Sequence, residues 1–318
     1  MYRLTAKVEI RGAKCWQLDK ITELEITRDT EKLTDECRLT LPKKIKWDNE
    51  TEIPIQRGDT IQIWLGYNDD LQPAFTGYVR DVGARTPVVI TCEDEMFRLK
   101  QIRTQKKSYR NVTLDTLLRD QNLPCPIEVM GEHHLGQYRV TAENIAELLG
   151  HLQENGIRSF FCYEDERAVL YSGILFERDN RPTQVFGTGT NIIDDQNLEQ
   201  QKAENMRLRI EAISLMPNNR KLKVEVGDED GDRRTLHAYN LKEKELKTWA
   251  EQEMKRLKRD GLTGHFTTFG YKLVDKLDVI GLKTDGKRQG VYQVKKNIIK
   301  YGTNGFRQEI TLGPRIGE

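Results

Sequence analysis

The sequence predicts an α+β protein, mainly β, in which two related small β-barrel domains flank an α/β insert. Apolar and polar residues alternate through the first hundred residues, and helical periodicity interrupts this pattern in the middle of the chain. A β-rich pattern returns near the C-terminus and partly repeats the first one. The expected domains are a first barrel over 1–105, the insert over 106–185 and a second barrel over 186–318.

The first hundred residues contain several short segments in which every second residue is apolar. This period of two is typical of strands with one buried face. The segments are LTAKVEI, ITELEIT, CRLTL, TIQIWL and PVVITC, and turn-forming residues separate them. Strands this short at such intervals favour a small sandwich or barrel. EDEMFRLKQI then predicts a short helix with Met96 and Leu99 on one side.

The insert shows two helical patterns and one hairpin pattern. NVTLDTLLRDQNLP places Leu114, Leu117 and Leu118 on one helix face. YRVTAENIAELLGHLQENG predicts a helix with Thr141 as N-cap and Gly156 at its end. Its expected buried face consists of Ile145, Leu148, Leu149 and Leu152. RSFFCYEDERAVLYSG predicts a hairpin that turns near residues 164–166.

From about Thr183 the strand patterns return, interrupted by the longest helix, at about 241–260. Asn240 is the predicted N-cap of this helix, with Glu243 at the third position and Gly261 at the end. Its expected buried stripe is Leu246, Trp249, Ala250, Met254 and Leu257. The remaining segments, GHFTTFGYKL, KLDVIGL, GVYQVKKNIIKYG and GFRQEITLG, predict strands.

An internal correspondence links the two β-rich regions. A turn with Asp, an alternating strand, a Gly-aromatic-Val segment and an apolar-x-Ile-Thr strand follow in the same order in both. The predicted equivalents are Asp59 with Asp275, Ile61 with Leu277, Ile63 with Val279, Gly77 with Gly290, and Ile90 with Ile310. Repeats this far apart indicate duplicated domains. A chain with two similar domains can form a ring of six equivalent units when three copies assemble.

Charge and cysteine content limit the functions to consider. Lys plus Arg is 51 and Asp plus Glu is 50, so the chain lacks the basic excess of a general nucleic-acid binder. A local basic patch at Lys106, Lys107 and Arg110 remains a candidate. The cysteine count of five is odd, no pair has C-x-x-C spacing, and no disulfide is expected. No signal sequence or apolar span is found, so we expect folding in a reducing cytosol without membrane insertion.

Four motifs suggest chemistry, and each has a simpler structural interpretation. Arg57-Gly58-Asp59 is the tripeptide of cell-adhesion ligands, but before a strand it predicts a turn. The run 228–232, DEDGD, lacks the Gly and Glu spacing of an EF-hand and predicts an acidic hairpin tip. The segment 186–191, FGTGTN, lacks the Lys-Ser/Thr of a phosphate-binding loop and predicts a linker.

The fourth motif is a possible metal site. His133 and His134 lie in a polar loop, with His151 on the next helix and Cys125 nearby, but the spacing fits no metal site. No nucleophile elbow occurs, and no carboxylate pair can be singled out. We therefore expect no catalytic, cofactor-binding or metal-binding residues, and no enzyme activity.

The segments that carry the internal correspondence resemble the tail hub proteins of phages and related injection machines, the late-control D and VgrG N-terminal-like families. The resemblance covers roughly 1–105 and 200–315, through RGDTIQIWLGY, FTGYVRDV and ITCEDEMFRLK, the helix AEQEMKRLKRDG, and GVYQVKKNIIKYG. The sequence departs from the pattern at Val274-Asp275-Lys276, where Gly-Asp is common.

The resemblance implies a phage or prophage virion protein, a trimeric, pseudo-hexameric hub between the tail tube and a central spike. Its expected partners are two further copies, the tube protein, the spike protein and DNA in transit. A tail-associated cell-wall hydrolase and a carbohydrate-binding module remain alternatives. The hydrolase would need converging carboxylates in a pocket, and the binding module an exposed platform built from Trp16, Trp47, Trp64 or Trp249.

Overall fold

The computed structural model describes residues 3–45, 47, 53–164, 167–174, 176, 182–218, 220–284 and 287–317. Strands hold 54% of the chain and helices 12%, which confirms a mainly β, α+β fold. Within these ranges, most strands belong to one 14-stranded sheet whose pairing path does not close on itself. The two barrels, and the domain limits near residues 105 and 185, therefore stay predictions. None of the described helices is long and apolar enough to cross a membrane.

The N-terminal region forms seven strands of the large sheet and confirms the predicted period of two. Val8, Ile61 and Ile90, for example, are fully buried between exposed or half-buried neighbours. The strands lie in the antiparallel order β3-β4-β7-β6-β5-β1-β2. They are β1 (Leu4–Arg11), β2 (Cys15–Leu18), β3 (Glu23–Asp29), β4 (Glu36–Thr40), β5 (Thr60–Tyr67), β6 (Asp70–Val82) and β7 (Val89–Glu93), followed by helix α1 (Met96–Leu99).

The middle region has its own core, on which the apolar faces of both predicted helices pack. The predicted hairpin is confirmed by the antiparallel pairing of its two strands, although Asp165 and Glu166 of its turn lie outside the described residues. The elements are β8 (Ser108–Thr113), α2 (Leu114–Arg119), β9 (Ile127–Met130), β10 (His134–Arg139), α3 (Ile145–Gln153), β11 (Arg158–Glu164) and β12 (Arg167–Gly173).

The N-cap of α3 was predicted wrongly at Thr141. Asn144 caps the helix, and its side-chain oxygen accepts from the Glu147 N–H at 2.9 Å. The Thr141 carbonyl accepts a hydrogen bond from the Lys106 ammonium at 2.8 Å, in an extended segment before the helix.

The C-terminal region contributes seven strands to the large sheet and builds one separate small sheet. The small sheet has the order β17-β16-β18 and packs against α4. The elements are β13 (Gln184–Gly187), β14 (Ile192–Asp194), β15 (Leu198–Gln201), β16 (Leu208–Leu215), β17 (Lys221–Gly227), β18 (Asp232–Tyr239), α4 (Glu243–Leu257), β19 (Gly261–Phe269), β20 (Val279–Thr284), β21 (Lys287–Gly302) and β22 (Gly305–Gly317).

The long helix is confirmed, but both of its predicted ends are wrong. Lys242 is the N-cap, and its N–H donates to the Glu245 carboxylate at 2.9 Å. Asn240 instead continues the strand pairing, since its N–H donates to the Leu215 carbonyl at 2.9 Å. Gly261 begins the next strand. Leu246 and Ala250 are buried and Trp249 and Met254 half-buried, whereas Leu257, the last residue of the helix, is 39% exposed.

The predicted internal correspondence exists in the backbone, with a shift of three residues. The turn before β5 has the N–H of Asp59 bonded to the Gln56 carbonyl at 3.2 Å, and the N–H of Gln56 bonded to the Asp59 carboxylate at 2.9 Å. Before β20, Asp278 and Asp275 make the same two bonds, at 3.2 and 2.7 Å. Asp59 therefore corresponds to Asp278, and the predicted match with Asp275 is wrong.

The same correspondence continues into the next strand. Gly58 and Leu277 both have positive φ, +93° and +67°, and their N–H groups bond to the carbonyls of Val79 and Val294. The predicted match of Gly77 with Gly290 is also wrong. Gly77 lies opposite Ile61, and the shift of three residues makes Ile280 the counterpart of Ile61. The residue opposite Ile280 is Tyr292, which is therefore the counterpart of Gly77.

The matching strands share a β-bulge as well. The pairing of β6 with β7 shifts between Val79 and Asp81, and that of β21 with β22 shifts between Val294 and Lys296. This register makes Ile310 the counterpart of Ile90, as predicted. We call β3–β7 the first unit and β14, β15 and β19–β22 the second unit. In the first unit, the outer strand β3 pairs with β4, and β4 pairs with β7, the last strand of the meander β5–β7. In the second unit, the outer strands β14 and β15 pair with β19, and β19 pairs with β22, the last strand of the meander β20–β22.

We expect Gly58→Ala to lower the free energy of unfolding by about 1–2 kcal/mol, because an L-residue is strained at φ +93°. A Cβ at this position would meet no atom within 4 Å, so the cost comes from the backbone alone. Urea unfolding of Gly58→Ala and Gly58→Asn tests this, with asparagine expected to cost less. Equal stability of Gly58→Ala and the unchanged protein would contradict the strained turn.

Candidate functional site: the buried junction between the two units

In the part of the chain that the structure describes, one pair of strands, β3 and β21, joins the two units. Their antiparallel register runs from Lys296 opposite Asp29 to Tyr301 opposite Leu24. Ile26 and Ile299 face each other in this register and are fully buried. The large sheet is thus continuous across the two halves of the chain, and the junction fixes the position of one unit relative to the other.

A fully buried ion pair lies beside this strand pair. The Lys276 ammonium, in the turn before β20, donates to the Asp35 carboxylate at 2.7 Å, and both side chains are almost entirely shielded from solvent. Asp35 lies in the β3–β4 connection of the first unit. The same ammonium lies 5.0 Å from the ring centre of Phe160 in β11. Lys276 therefore connects both units and the middle region.

Asp94 adds a second buried carboxylate to this pair. Its oxygens accept hydrogen bonds from the N–H groups of Asp35 and Met96, at 3.1 and 3.0 Å. Burial, followed by the charge of Asp35, raises the pKa of Asp94 to about 7. Burial also raises the pKa of Asp35. Burial alone would lower the pKa of Lys276, but the negative charges of Asp35 and Asp94 outweigh it, so the pKa of Lys276 is raised. Lys276 is thus charged, with one carboxylate as its direct partner.

A second cation crosses the same boundary. The Arg28 guanidinium in β3 donates to the Ala74 carbonyl at 2.6 Å and lies 3.5 Å from the Asp275 carboxylate of the second unit. The Tyr163 hydroxyl in β11 donates to the Thr76 carbonyl at 2.8 Å, and burial raises the pKa of this hydroxyl well above its usual value.

The chemistry of this cluster is structural. Asp35 and Asp94 are neighbouring carboxylates, yet they are 5% and 1% exposed, and Asp35 binds a lysine with no exposure at all. A hydrolase needs its carboxylates within reach of a substrate. Buried charges that satisfy one another instead fix a geometry, since removing one partner leaves the other uncompensated.

The Arg57-Gly58-Asp59 tripeptide is a turn, and all three of its residues make local contacts. The Arg57 guanidinium donates to the Arg80 carbonyl at 3.1 Å and lies 5.3 Å from the Phe97 ring centre. Gly58 supplies the positive φ, and Asp59 closes the turn through its carboxylate. The tripeptide therefore initiates β5, as predicted.

The acidic run does not form a hairpin tip, which corrects the prediction. β17 and β18 do not pair with each other, because β16 lies between them and pairs with both. The run closes around the start of β16, where Asp228 accepts from the Leu208 N–H at 3.2 Å. Asp228 is also 2.7 Å from the Lys258 ammonium, and Asp230 pairs with Arg207. These charges are thus compensated within the chain.

The remaining sequence candidates are dispersed. The His133 ring nitrogen lies 2.8 Å from the Met130 carbonyl, and His134 and His151 pair with separate glutamates. Among the described residues, no group of three His, Cys, Asp or Glu could hold a metal. The segment 186–191 begins inside β13, where Phe186 is buried, so only 188–191 form the predicted linker; they lead to β14 and not to a helix. Lys106 and Lys107 pair with Glu143 and Asp120.

The tryptophans considered as a binding platform do not form one. Trp16 and Trp47 meet edge to face at 5.3 Å and pack against the first core. Trp64 lies beneath the Lys7 ammonium, 4.9 Å from its ring centre, and Trp249 packs in the core under α4.

The overall fold is similar to that of solved phage tail proteins. The chain aligns with a 43 kDa tail protein of prophage MuSo2 from Shewanella oneidensis at a TM-score of 0.60 and 16% identity, over 98% of both chains. It aligns with a tail protein from Neisseria meningitidis MC58 at 0.63 and 14% identity, over 97% of this chain and 96% of that one.

A third similar structure belongs to a secretion machine. The Escherichia coli c3393 protein, a component of the type VI secretion system, aligns at a TM-score of 0.58 and 10% identity over 98% of this chain and 78% of that one. No family model and no curated protein sequence matches the chain. At these identities the similarity defines the fold: it is one found in phage tail proteins and in a related secretion component.

Proposed function

We propose that this protein is a structural hub of a phage or prophage tail, a trimeric ring of six similar units that joins the tail tube to a central spike. The observation that carries the proposal is the presence of two matching units in one chain, held together by the β3–β21 strand pair. Three such chains supply six units, which suits a hub between partners of sixfold and threefold symmetry. The similarity in fold to tail proteins supports this role.

The exposed face of the large sheet at the junction supports a channel wall. Exposed and half-buried side chains of both signs are mixed there over both units, with Glu25 and Arg38 in the first and Lys300, Arg307 and Glu309 in the second. A surface of mixed charge holds a polyanion weakly, because no continuous row of cations faces it. We propose that this face lines the passage for DNA.

The mass of the purified protein tests the hub. We expect native mass spectrometry to give a trimer of about 111 kDa, against 37.0 kDa for one chain, and negative-stain images to show rings. A chain that stays monomeric from low to high micromolar concentration would contradict the proposal. A monomer that also cleaves peptidoglycan would favour the tail-associated hydrolase instead.

A further inference from the structure

The junction within the chain joins one strand edge of the first unit to one strand edge of the second. Each unit also has the edge that corresponds to the other partner of this junction, and in the described residues no strand pairs with either of these two edges. β3 of the first unit pairs with β4 on one side and with β21 on the other. Its counterpart in the second unit is the interrupted strand β14–β15, which pairs with β19 through Leu198 opposite Gly264 and Gln201 opposite Gly261. In the described part of the chain, no strand pairs with the outer edge of β15.

The complementary edge lies on the first unit. β21 pairs with β20 through its first half and with β3 through residues 296–301, beyond the bulge. The corresponding segment of the first unit is 81–86, beyond the bulge of β6. It pairs with β7 on one side, where the Gly83 N–H donates to the Val89 carbonyl at 2.8 Å. Asp81, Ala84, Arg85 and Thr86 are exposed.

We infer that a second copy of this chain docks here, so that β15 of one chain adds as an antiparallel strand to the 81–84 segment of the next and repeats the β3–β21 junction between chains. The inference rests on the proposed trimeric hub and specifies its interface. The register follows from the junction within the chain, where Asp29, Arg28, Thr27 and Ile26 lie opposite Lys296, Asn297, Ile298 and Ile299. It places Gln201, Gln200, Glu199 and Leu198 opposite Asp81, Val82, Gly83 and Ala84.

Backbone directions agree with this pairing. The Leu262 N–H donates to the Tyr292 hydroxyl at 2.7 Å and therefore points away from Gln200, its neighbour in β15. In an antiparallel pair, two facing residues direct their N–H groups either both towards each other or both away from each other. The Gln200 N–H therefore also points away from β19, to the outer edge of β15. In the junction within the chain, the equivalent amide belongs to Arg28 and faces β21. An exposed amide on an edge strand is a template for a further strand.

This interface is head-to-tail, because each chain contributes β15 at one end and the 81–84 segment at the other. Such contacts generate closed rings when the rotation between copies closes. Three repeats give six junctions, three within chains and three between them. First and second units then alternate around the ring, and the junctions between chains use edges that correspond to those of the junction within each chain.

Cysteine cross-linking tests the register. In a Cys15→Ser background, which removes the exposed cysteine, we expect Asp81→Cys with Gln201→Cys to give disulfide-linked dimers and trimers on mild oxidation. Residues 81 and 201 correspond to Lys296 and Asp29, which face each other in the junction within the chain. The next pair carries the hydrogen bond from the Thr30 N–H to the Lys295 carbonyl, and hydrogen-bonded and non-hydrogen-bonded pairs alternate along an antiparallel ladder. That makes them a close, non-hydrogen-bonded pair, suited to a disulfide. Asp81→Cys with Glu225→Cys, on the separate small sheet, is the matched control and should stay uncross-linked.

A proline variant tests the edge itself. Gln200→Pro removes the outward N–H, and we expect the concentration for half-assembly to rise about tenfold or more, whereas Gln200→Ala should assemble normally. Circular dichroism and thermal unfolding check that both variants fold. A trimer by mass that shows no cross-link, or that Gln200→Pro leaves unchanged, would overturn this interface and leave the hub standing. A strict monomer without cross-links would overturn both.

Discussion

Replacing Lys276 by methionine should lower the free energy of unfolding by about 3–5 kcal/mol. Methionine keeps the length of the buried stem but removes the ammonium that donates to Asp35 at 2.7 Å. Asp35 and Asp94 then remain buried without their shared cation, and the β3–β4 connection loses its bond to the second unit. Equilibrium urea unfolding at pH 7.5 measures the loss.

Two comparisons separate this effect from the loss of any lysine. Lys295→Met removes an ammonium that lies 2.9 Å from the Glu31 carboxylate, in a pair exposed to solvent, and should cost less than about 1 kcal/mol. Asp35→Asn combined with Lys276→Met should recover much of the loss, because the double variant has one buried charge fewer than Lys276→Met alone. If Lys276→Met and Lys295→Met destabilise equally, the ion pair does not hold the junction.

The contribution of Asp94 to stability should fall as the pH rises from about 4 to 7, and Asp94→Asn should remove that fall. The folded-state pKa of Asp94, raised to about 7, lies well above the value of about 3.9 for an unfolded aspartate. The folded protein therefore holds this proton more tightly than the unfolded chain between about pH 4 and 7. Below about pH 4, Asp94 is protonated in both states and does not lower the free energy of unfolding. Above about pH 7 it is ionised in both states, and the loss in the free energy of unfolding is complete.

Urea unfolding of the two proteins at pH 5 and pH 8.5 measures this linkage. The asparagine loses one acceptor for the Asp35 or Met96 N–H, a cost of about 1–2 kcal/mol that does not depend on pH. We expect the stability of Asp94→Asn relative to the unchanged protein to improve by about 2–4 kcal/mol between pH 5 and pH 8.5. Asp120→Asn, at a half-buried carboxylate whose pKa is lowered by its hydrogen bond from Lys107, is the control and should show no such improvement. A pH-independent difference for Asp94→Asn would contradict the raised pKa.

The sequence predicted the strands well because local patterns determine them. Alternating burial in β1, β5 and β7, and the apolar faces of α2 and α3, depend on residues close together in the chain. The cap at Asn144 was missed because Thr141 also suits an N-cap by residue type. The cap at Lys242 was missed because Asn240 suits that position better than lysine does, and only the path of the chain decides.

The internal correspondence was predicted from residue identity, and identity misled at one point. Asp275 and Asp278 are three residues apart, and both suit a turn. Leu277 takes the position of Gly58 with a positive φ, which a pattern that expects Gly-Asp does not recognise. Burial of the Leu277 side chain against the core that contains Phe160 accompanies this unusual backbone.

The buried ion pair could not be predicted, because Asp35, Asp94 and Lys276 are far apart in the chain. Each lies in a polar, turn-rich segment that resembles many others in a chain with 32% charged residues. The pairing of β4 with β7 brings Asp35 next to Asp94, and the pairing of β3 with β21 brings the second unit, with Lys276, to both. The same holds for the strand edges, whose correspondence follows from hydrogen bonds and bulges that leave no trace in composition.

The ion pair at Lys276 has no counterpart at the edge that we assign to the neighbouring chain. By register, Arg57 takes the position of Lys276, and Leu262 that of Asp35. Arg57 is 66% exposed on its side chain, whereas Lys276 has no exposure. The ring would then contain two kinds of junction. Those within a chain form as the chain folds and are permanent, whereas those between chains are weaker and form afterwards. Such a hub would dissociate into intact two-unit chains, and exchange of chains between rings would precede unfolding.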